Sequence, residues 1–174
     1  SYVLSLAIWG KYDLLCSSCY HGNVRLWNFE GECVVSVSGR NRSPIYGIGI
    51  VNDWICAGAR NNTFWFWDHQ GNLVDEISEE SQDVKAVTQF GEKLVCSTMS
   101  SNNGMIIWKP DPDRQSKHVF DKERSYPFIF AEGTGIISRV QHHKILVCGS
   151  QHQLLFWNEN LEVEGTTSNE FLPT

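Results

Sequence analysis

Four tryptophans divide the sequence into units of similar length. Trp27, Trp67, Trp108 and Trp157 each close a short apolar run, and they are separated by 40, 41 and 49 residues. A unit of about 40 residues cannot bury its own apolar face, so neighbouring copies must stack to share a continuous core. The period therefore predicts a repeat architecture, either a propeller of sheets or a solenoid.

A second residue type follows nearly the same spacing. Cys16, Cys56, Cys96 and Cys148 are separated by 40, 40 and 52 residues, and each stands in a short apolar run. We predict that they share one strand position and are buried as free thiols, because cysteine packs as a small hydrophobe. Free thiols favour a reducing compartment, which predicts an intracellular protein of the cytoplasm or nucleus.

Each unit contains four short β-rich runs separated by turn residues. The second unit shows this most clearly, with runs at 45–51, 54–60, 63–68 and 73–77. Tight turns between such runs are typical of antiparallel hairpins. We predict an all-β fold in which one array, residues 1–174, is built from four-stranded antiparallel blades at about 1–39, 40–79, 80–123 and 124–170. In the third unit the last strand is predicted at about 117–120, after a loop.

The residues around the tryptophans carry a family resemblance. Val24-Arg25-Leu26-Trp27-Asn28 and Phe64-Trp65-Phe66-Trp67-Asp68 are strands that end in Trp followed by Asn or Asp. This pattern resembles the repeat of the WD-repeat family and covers nearly the whole chain. It implies a β-propeller with four blades in this chain, in which each Trp fills the space between neighbouring blades. The repeats are degenerate, because His21, Asn61, Asn102 and Gln151 stand six residues before the Trp, where the family often has Asp.

Four blades are fewer than the closed ring of about seven that family members commonly form. Three alternatives follow: a part of a larger propeller, which we favour, a small closed ring, or a half-ring that pairs with a second copy as a homodimer. An uncovered end blade would expose an apolar face, so a free half-ring is expected to associate.

The motifs of common enzymes are missing from the sequence. There is no Ser-His-Asp context, no Gly-rich phosphate loop and no recurring pair of carboxylates, so we expect no enzyme activity, no cofactor and no metal site. Fourteen basic and twenty acidic residues give a net charge of −6, which opposes nucleic-acid binding. No apolar run reaches the ~20 residues of a membrane span. We therefore expect protein or peptide partners, with no nucleic acid and no membrane.

The resemblance places the partner-binding loops at the connections from second to third strand and from fourth strand to the next unit. Arginines there provide positive charge beside an acidic loop, which suits a peptide of mixed charge. Trp65 has two interpretations, an exposed aromatic anchor or, as we favour, a residue of the interface between blades. The candidate residues for partner binding are His21, Arg40, Arg42, Arg60, Asn61, Glu79, Glu80, Asn102 and His152.

Arg60 is the sharpest single candidate. It resembles the position where phosphopeptide-reading propellers of ubiquitin-ligase substrate receptors carry an arginine, and a guanidinium fork matches a phosphate. The predicted function is a non-catalytic scaffold for protein–protein interaction. The alternatives are substrate recognition in a ubiquitin-ligase-type complex, reading an acidic or phosphorylated peptide, and an architectural subunit of a large assembly.

Overall fold

The computed structural model describes residues 1–40, 42–78, 83–98, 104–111, 118–126, 136–140, 144–148, 154–158, 160 and 162–166. Within them the chain forms sixteen β-strands and one short 3-10 helix, Gly10–Tyr12. The first sheet contains β1 (Val3–Trp9), β2 (Leu14–Cys19), β3 (Asn23–Trp27) and β4 (Cys33–Ser38). The second contains β5 (Ile45–Val51), β6 (Trp54–Ala59), β7 (Thr63–Trp67) and β8 (Leu73–Ser78).

The other two sheets follow the same order. The third contains β9 (Val84–Phe90), β10 (Lys93–Thr98), β11 (Met105–Pro110) and β12 (Phe120–Tyr126). The fourth contains β13 (Ile136–Val140), β14 (Lys144–Cys148), β15 (Leu154–Trp157) and β16 (Val163–Thr166). Every sheet is a four-stranded antiparallel meander, which confirms the prediction of an all-β fold made of four-stranded units. The described part of the chain holds no helix long and apolar enough to cross a bilayer.

The first strands of consecutive sheets lie side by side. β1 contacts β5, β5 contacts β9, and β9 contacts β13, so the sheets follow one another in chain order. Two glycines of β5 permit this approach. A Cβ on Gly47 would lie 2.8 Å from the Cα of Ala86, and one on Gly49 would lie 3.0 Å from the carbonyl oxygen of Val87. The backbone of β5 therefore passes β9 at positions where no side chain fits.

Two cores fill the spaces between the first three sheets. Because successive side chains of a strand point to opposite faces, the neighbouring residues Ile55 and Cys56 belong to different cores. The core between the first and second sheets includes Trp9, Cys16, Leu26, Ile55, Trp65 and Trp67. The core between the second and third sheets includes Cys56, Phe64, Phe66, Leu94, Cys96 and Trp108.

The tryptophans keep one register and the cysteines do not. Trp27, Trp67, Trp108 and Trp157 pair with Leu15, Ile55, Leu94 and Ile145 of the preceding strands. Cys16 and Cys56 come one residue after that partner, Cys96 two residues after it, and Cys148 three. The prediction that the four cysteines share one strand position is wrong for Cys96 and Cys148. A one-residue slip reverses the face, so Cys56 and Cys96 both point into the core between the second and third sheets.

The five cysteines whose side chains the structure describes form no disulfide with one another, as expected. Cys16, Cys19, Cys56 and Cys96 are buried, and Cys33 is exposed.

The last strand of the third sheet differs from the prediction. β12 covers Phe120–Tyr126 and pairs with β11 from Pro110 to Met105, whereas the sequence predicted about 117–120. The charged run 121–124 does not look like a strand, but an edge strand exposed on one side accommodates charge.

Candidate protein-interaction surface

Three connections come together at one edge of the first two sheets. A Cβ on Gly22, in the β2–β3 turn, would lie 2.7 Å from the carbonyl oxygen of Ser43. The amide of Gly39 donates a hydrogen bond to the oxygen of Gly22 at 3.2 Å, and the amide of Arg60 donates to Pro44 at 3.0 Å. We call residues 20–22, 39–40, 42–44 and 60–62 the loop surface. Its parts are joined by backbone contacts, so it is held by two sheets at once.

Arg60 lies at a corner of the loop surface where the described residues include two cations and one carboxylate. Its Nε is 3.6 Å from Oδ2 of Asp83, and its side chain is 60% exposed. The ammonium of Lys85 lies 4.0 Å from the same oxygen and 3.6 Å from the ring centroid of Tyr46. Burial lowers the pKa of Lys85, Asp83 raises it, and the charge of Arg60 lowers it further. Among the described residues, this corner therefore holds two positive charges and one negative charge.

The other two arginines of the surface have separate surroundings. Nε of Arg40 lies 3.1 Å from Oε2 of Glu76, on β8. Arg42 is exposed, and its φ of 50° places it in the left-handed region. These three arginines thus have different neighbours, and an acidic partner would compete with Glu76 for Arg40 and with Asp83 for Arg60.

The remaining predicted residues of the surface are polar. Nδ1 of His21 lies 2.8 Å from the hydroxyl of Ser1, and its ring is edge-on to Tyr20. The side-chain oxygens of Asn61 and Asn62 are buried and find no hydrogen-bond partner within the described part of the chain. Glu79, Glu80, Asn102 and His152 lie outside the described residues.

Trp65 is not an anchor on this surface. Its side chain is 1% exposed and stacks on Trp67, with ring centroids 6.0 Å apart. The interpretation as an interface residue between two sheets is the correct one.

The opposite edge carries an aromatic cluster that the sequence did not predict. Tyr12 stacks on His69 with centroids 4.1 Å apart, and Trp9 meets Tyr12 edge-on at 5.1 Å. We call Trp9, Tyr12 and His69 the aromatic clasp. Beside it Lys11 pairs with Asp53, and this hydrogen bond lowers the pKa of the carboxyl. Tyr12 and His69 lie in turns of different sheets, where strand periodicity gives no signal.

The residue after the repeated tryptophan shapes a turn at this same edge. In the first, second and fourth sheets its Oδ1 accepts a hydrogen bond from the amide four residues on, at 2.8–2.9 Å. The acceptors are Asn28, Asp68 and Asn158. In the third sheet this position is Lys109, and the connection to β12 is longer. The Asp or Asn that follows the repeated tryptophan therefore stabilises the turn between the third and fourth strands of these sheets.

These features define an all-β repeat protein of consecutive four-stranded antiparallel sheets. No family model matches the chain. Telomerase protein component 1 of Mus musculus is 28% identical over 112 residues, which are 59% of this chain and 4% of that protein. The same protein of Rattus norvegicus is 24% identical over 111 residues, again 59% and 4%. The chain therefore spans a small part of the length of the curated relatives it matches.

Two solved structures share the fold. The computationally designed Ika8 protein superposes with a TM-score of 0.69 at 15% identity, over 96% of this chain and 49% of that one. A chain in the crystal structure of the mitotic checkpoint complex superposes with a TM-score of 0.74 at 14% identity, over 95% and 52%. Similarity at this level of identity concerns the fold, and the chain spans about half of each solved chain.

Proposed function

We propose that the four sheets are consecutive blades of a WD-repeat-like β-propeller, and that this propeller is a non-catalytic scaffold for protein–protein interaction. The observation that carries the proposal is the loop surface, in which one turn of each of the first two sheets is hydrogen-bonded through its backbone to the segment that connects these sheets. Loops held in this way present side chains in fixed positions, which reduces the entropy lost when a partner binds.

The charges of the surface favour a peptide partner of mixed charge. Arg40, Arg42 and Arg60 are exposed, while Glu76 and Asp83 lie beside two of them. Such a pattern selects partners by charge complementarity more than by apolar area. One similar protein is named as a protein component of telomerase, and this name supports a role in protein interaction. Cytoplasm or nucleus is the compartment we propose, since the cysteines whose side chains the structure describes form no disulfide with one another.

Recognition of an acidic or phosphorylated peptide is the second candidate. It is favoured by the corner where Arg60 and Lys85 share Asp83, because the described residues there carry two positive charges and one negative charge, which favours binding of a further anion. Arg60 is exposed enough for its guanidinium to turn toward a ligand.

Crosslinking from two positions of similar exposure tests whether a partner binds at the loop surface. Tyr20, on the loop surface, is 47% exposed, and Leu73, at the start of β8 near the opposite edge, is 46% exposed. A photo-crosslinking amino acid placed at each position in turn, in cells that make the protein, should capture a discrete protein from position 20 and much less of it from position 73. Equal capture from both positions would contradict a partner at the loop surface. Loss of the position-20 product with Arg60→Glu would favour the acidic-peptide candidate, and its persistence would favour the general scaffold.

A further inference from the structure

The last strand of each sheet lies at the end of the strand order, so one of its two sides pairs with no other strand of that sheet. These last strands are β4, β8, β12 and β16. The amide and carbonyl groups on such a free side can bind a strand of another molecule. Proteins commonly prevent this pairing by placing charged side chains, proline or bulges on the strand.

β4 differs from the other three last strands because it carries no charge. Its sequence is CVVSVS, with three valines and neither proline nor glycine. β8 contains Asp75 and Glu76, β12 contains the charged run 121–124, and β16 contains Glu164 and Gly165. The same bulge interrupts all four strands beside the repeated tryptophan, so it does not distinguish them. Of these four strands, β4 has the composition that most favours a further partner strand.

The pairing of β4 with β3 determines which backbone groups point to its free side. In continuation of this register Gly39 lies opposite Gly22, and its amide donates a hydrogen bond to the oxygen of Gly22 at 3.2 Å. In an antiparallel pair, residues bonded to the partner strand alternate with residues whose amide and carbonyl point away from it. Val37 therefore bonds to β3, whereas Ser36 and Ser38 direct both groups to the free side. Among the described strands, none pairs with this side.

The side chains of β4 differ between its two faces. Val35 and Val37 are half-buried and pack on the second sheet, where a Cβ on Gly71 would lie 2.7 Å from Cγ1 of Val35. Ser36 and Ser38 are exposed on the other face. Residues directly opposite each other in paired strands share a face. A strand added to β4 would therefore need apolar side chains opposite the valines and polar side chains opposite the serines.

The end of β4 leads directly into the loop surface. Arg40 follows two residues after Ser38, and its side chain is 75% exposed. Arg42 is exposed as well. A strand that runs antiparallel to β4 would bring its amino end toward these arginines. Acidic residues at that end would meet positive charge and would compete with Glu76 for Arg40.

We infer that the free side of β4 binds an extended segment of a partner protein, which adds to the first sheet as a fifth, antiparallel strand. The segment alternates β-branched and polar residues, and acidic residues precede it. Main-chain hydrogen bonds to Ser36 and Ser38 supply affinity, and the alternate side chains supply specificity. The inference rests on the proposed function of the loop surface, and it adds the conformation and the sequence type of the partner.

A synthetic peptide tests the inference. The probe is two aspartates followed by three valine-threonine pairs, and fluorescence anisotropy measures its binding to the intact chain. We expect saturable binding in which the threonines lie opposite Ser36 and Ser38, with their amides pointing to β4. N-methylation of the threonine amides should weaken binding at least about tenfold, since it removes these donors. N-methylation of the valine amides, which point away from β4, is the matched control and should have little effect.

A pair of proline substitutions tests the protein side. Ser38→Pro removes an amide on the free side without removing a bond to β3, which is where a strand tolerates proline. It should weaken probe binding about tenfold. Ser78→Pro is the matched control, because Ser78 is exposed and holds the same register position in β8. Circular dichroism checks that both variants are folded.

Three results would overturn the inference. They are a probe that does not bind saturably, equal effects of the two methylation patterns, and equal binding by the Ser38→Pro and Ser78→Pro variants. Crosslinking from position 20 reports on the loop surface and does not involve the probe. A protein captured there, together with a probe that fails to bind, would refute strand addition and leave the scaffold standing, whereas absence of capture would refute the scaffold itself.

Discussion

The imidazole of His69 lies stacked on the phenol ring of Tyr12, with ring centroids 4.1 Å apart and planes only 11° from parallel. The contact joins the β7–β8 turn of the second sheet to the turn between β1 and β2. It lies at the edge opposite the loop surface, so the first two sheets are fastened to each other at both edges.

Removal of the clasp should weaken this pair of sheets. His69→Ala deletes the stacking with Tyr12 and the edge contact with Trp9, and we expect it to lower the free energy of unfolding by about 1 kcal/mol. Glu30→Ala, in the corresponding turn of the first sheet, is an exposed control that should change stability by less than about 0.5 kcal/mol. Urea denaturation at one fixed protein concentration measures both. Equal effects would show that the stacking contributes nothing.

Gly39→Ala should destabilise the loop surface, because the added methyl group would collide with the core beneath it. A Cβ at this position would lie 2.4 Å from the indole ring of Trp65, which is 1% exposed and has little room to move. We expect a loss of about 1–3 kcal/mol, as for other overpacked cores. Gly10→Ala is the matched control, since no atom outside its neighbours lies within 4 Å of its Cβ position. A melting temperature unchanged by Gly39→Ala would mean that the Trp65 ring moves freely.

Asp68 should make the turn after β7 dependent on pH. Burial raises the pKa of its carboxyl, but hydrogen bonds from the side chain and amide of Asn72 and the amide of Gln70 outweigh it, and the folded pKa is lowered. Its contribution to stability is therefore complete above the unfolded pKa of about 3.9 and is lost as the pH falls through the folded value.

The comparison of Asp68→Asn with Asp68→Ala isolates this carboxylate. Asn keeps the Oδ1 acceptor, as Asn28 and Asn158 do, but loses the Oδ2 acceptor of the Asn72 side chain. Asp68→Asn should therefore cost less near neutral pH than Asp68→Ala, for which we expect about 1 kcal/mol. The difference in stability between wild type and Asp68→Asn should stay constant above about pH 4 and change below it. A constant difference down to strongly acidic pH would contradict the lowered pKa.

Alkylation should distinguish the thiols by burial. Burial raises the pKa of Cys16 to about 12 and that of Cys56 well above its usual range, so neither forms the reactive thiolate in the native protein. Cys33 is exposed and should be labelled by iodoacetamide at mildly alkaline pH. Peptide mass mapping before and after urea denaturation measures each site. Labelling of native Cys56 as fast as Cys33 would refute the packing between the second and third sheets.

The sequence predicts the sheets better than the contacts between them. A tryptophan needs a cavity of its own size, so its position relative to its pairing partner is the same in every sheet, and its spacing predicts the units. A cysteine is small enough for either face of a strand, so the 40-residue interval from Cys56 to Cys96 conceals a slip of one residue. The charged strand β12 shows the same limit, because edge position and not composition determines its structure.

The sequence predicted which loops form the candidate surface, but it did not predict which side chains form ion pairs or ring contacts there. Antiparallel strands bring alternate turns to one edge, which is why residues 20–22, 39–40, 42–44 and 60–62 contribute to one surface. Arg60 pairs with Asp83 and Arg40 pairs with Glu76. These ion pairs depend on which carboxylate the fold brings close to each arginine, and the sequence does not show this. The aromatic clasp depends on two turns that meet only after the first two sheets have packed.

Small residues in the first strands of the sheets determine which unit can occupy which place in the array. By pairing register Gly47 corresponds to Ser5 and Gly49 to Ala7, yet only the glycines stand where a neighbouring backbone leaves no space for a Cβ. The first unit could not replace the second without driving two side chains into the main chain of β9. Units that share one sequence pattern are thus not interchangeable, and exchange of units within this array would require compensating substitutions on both sides of the junction.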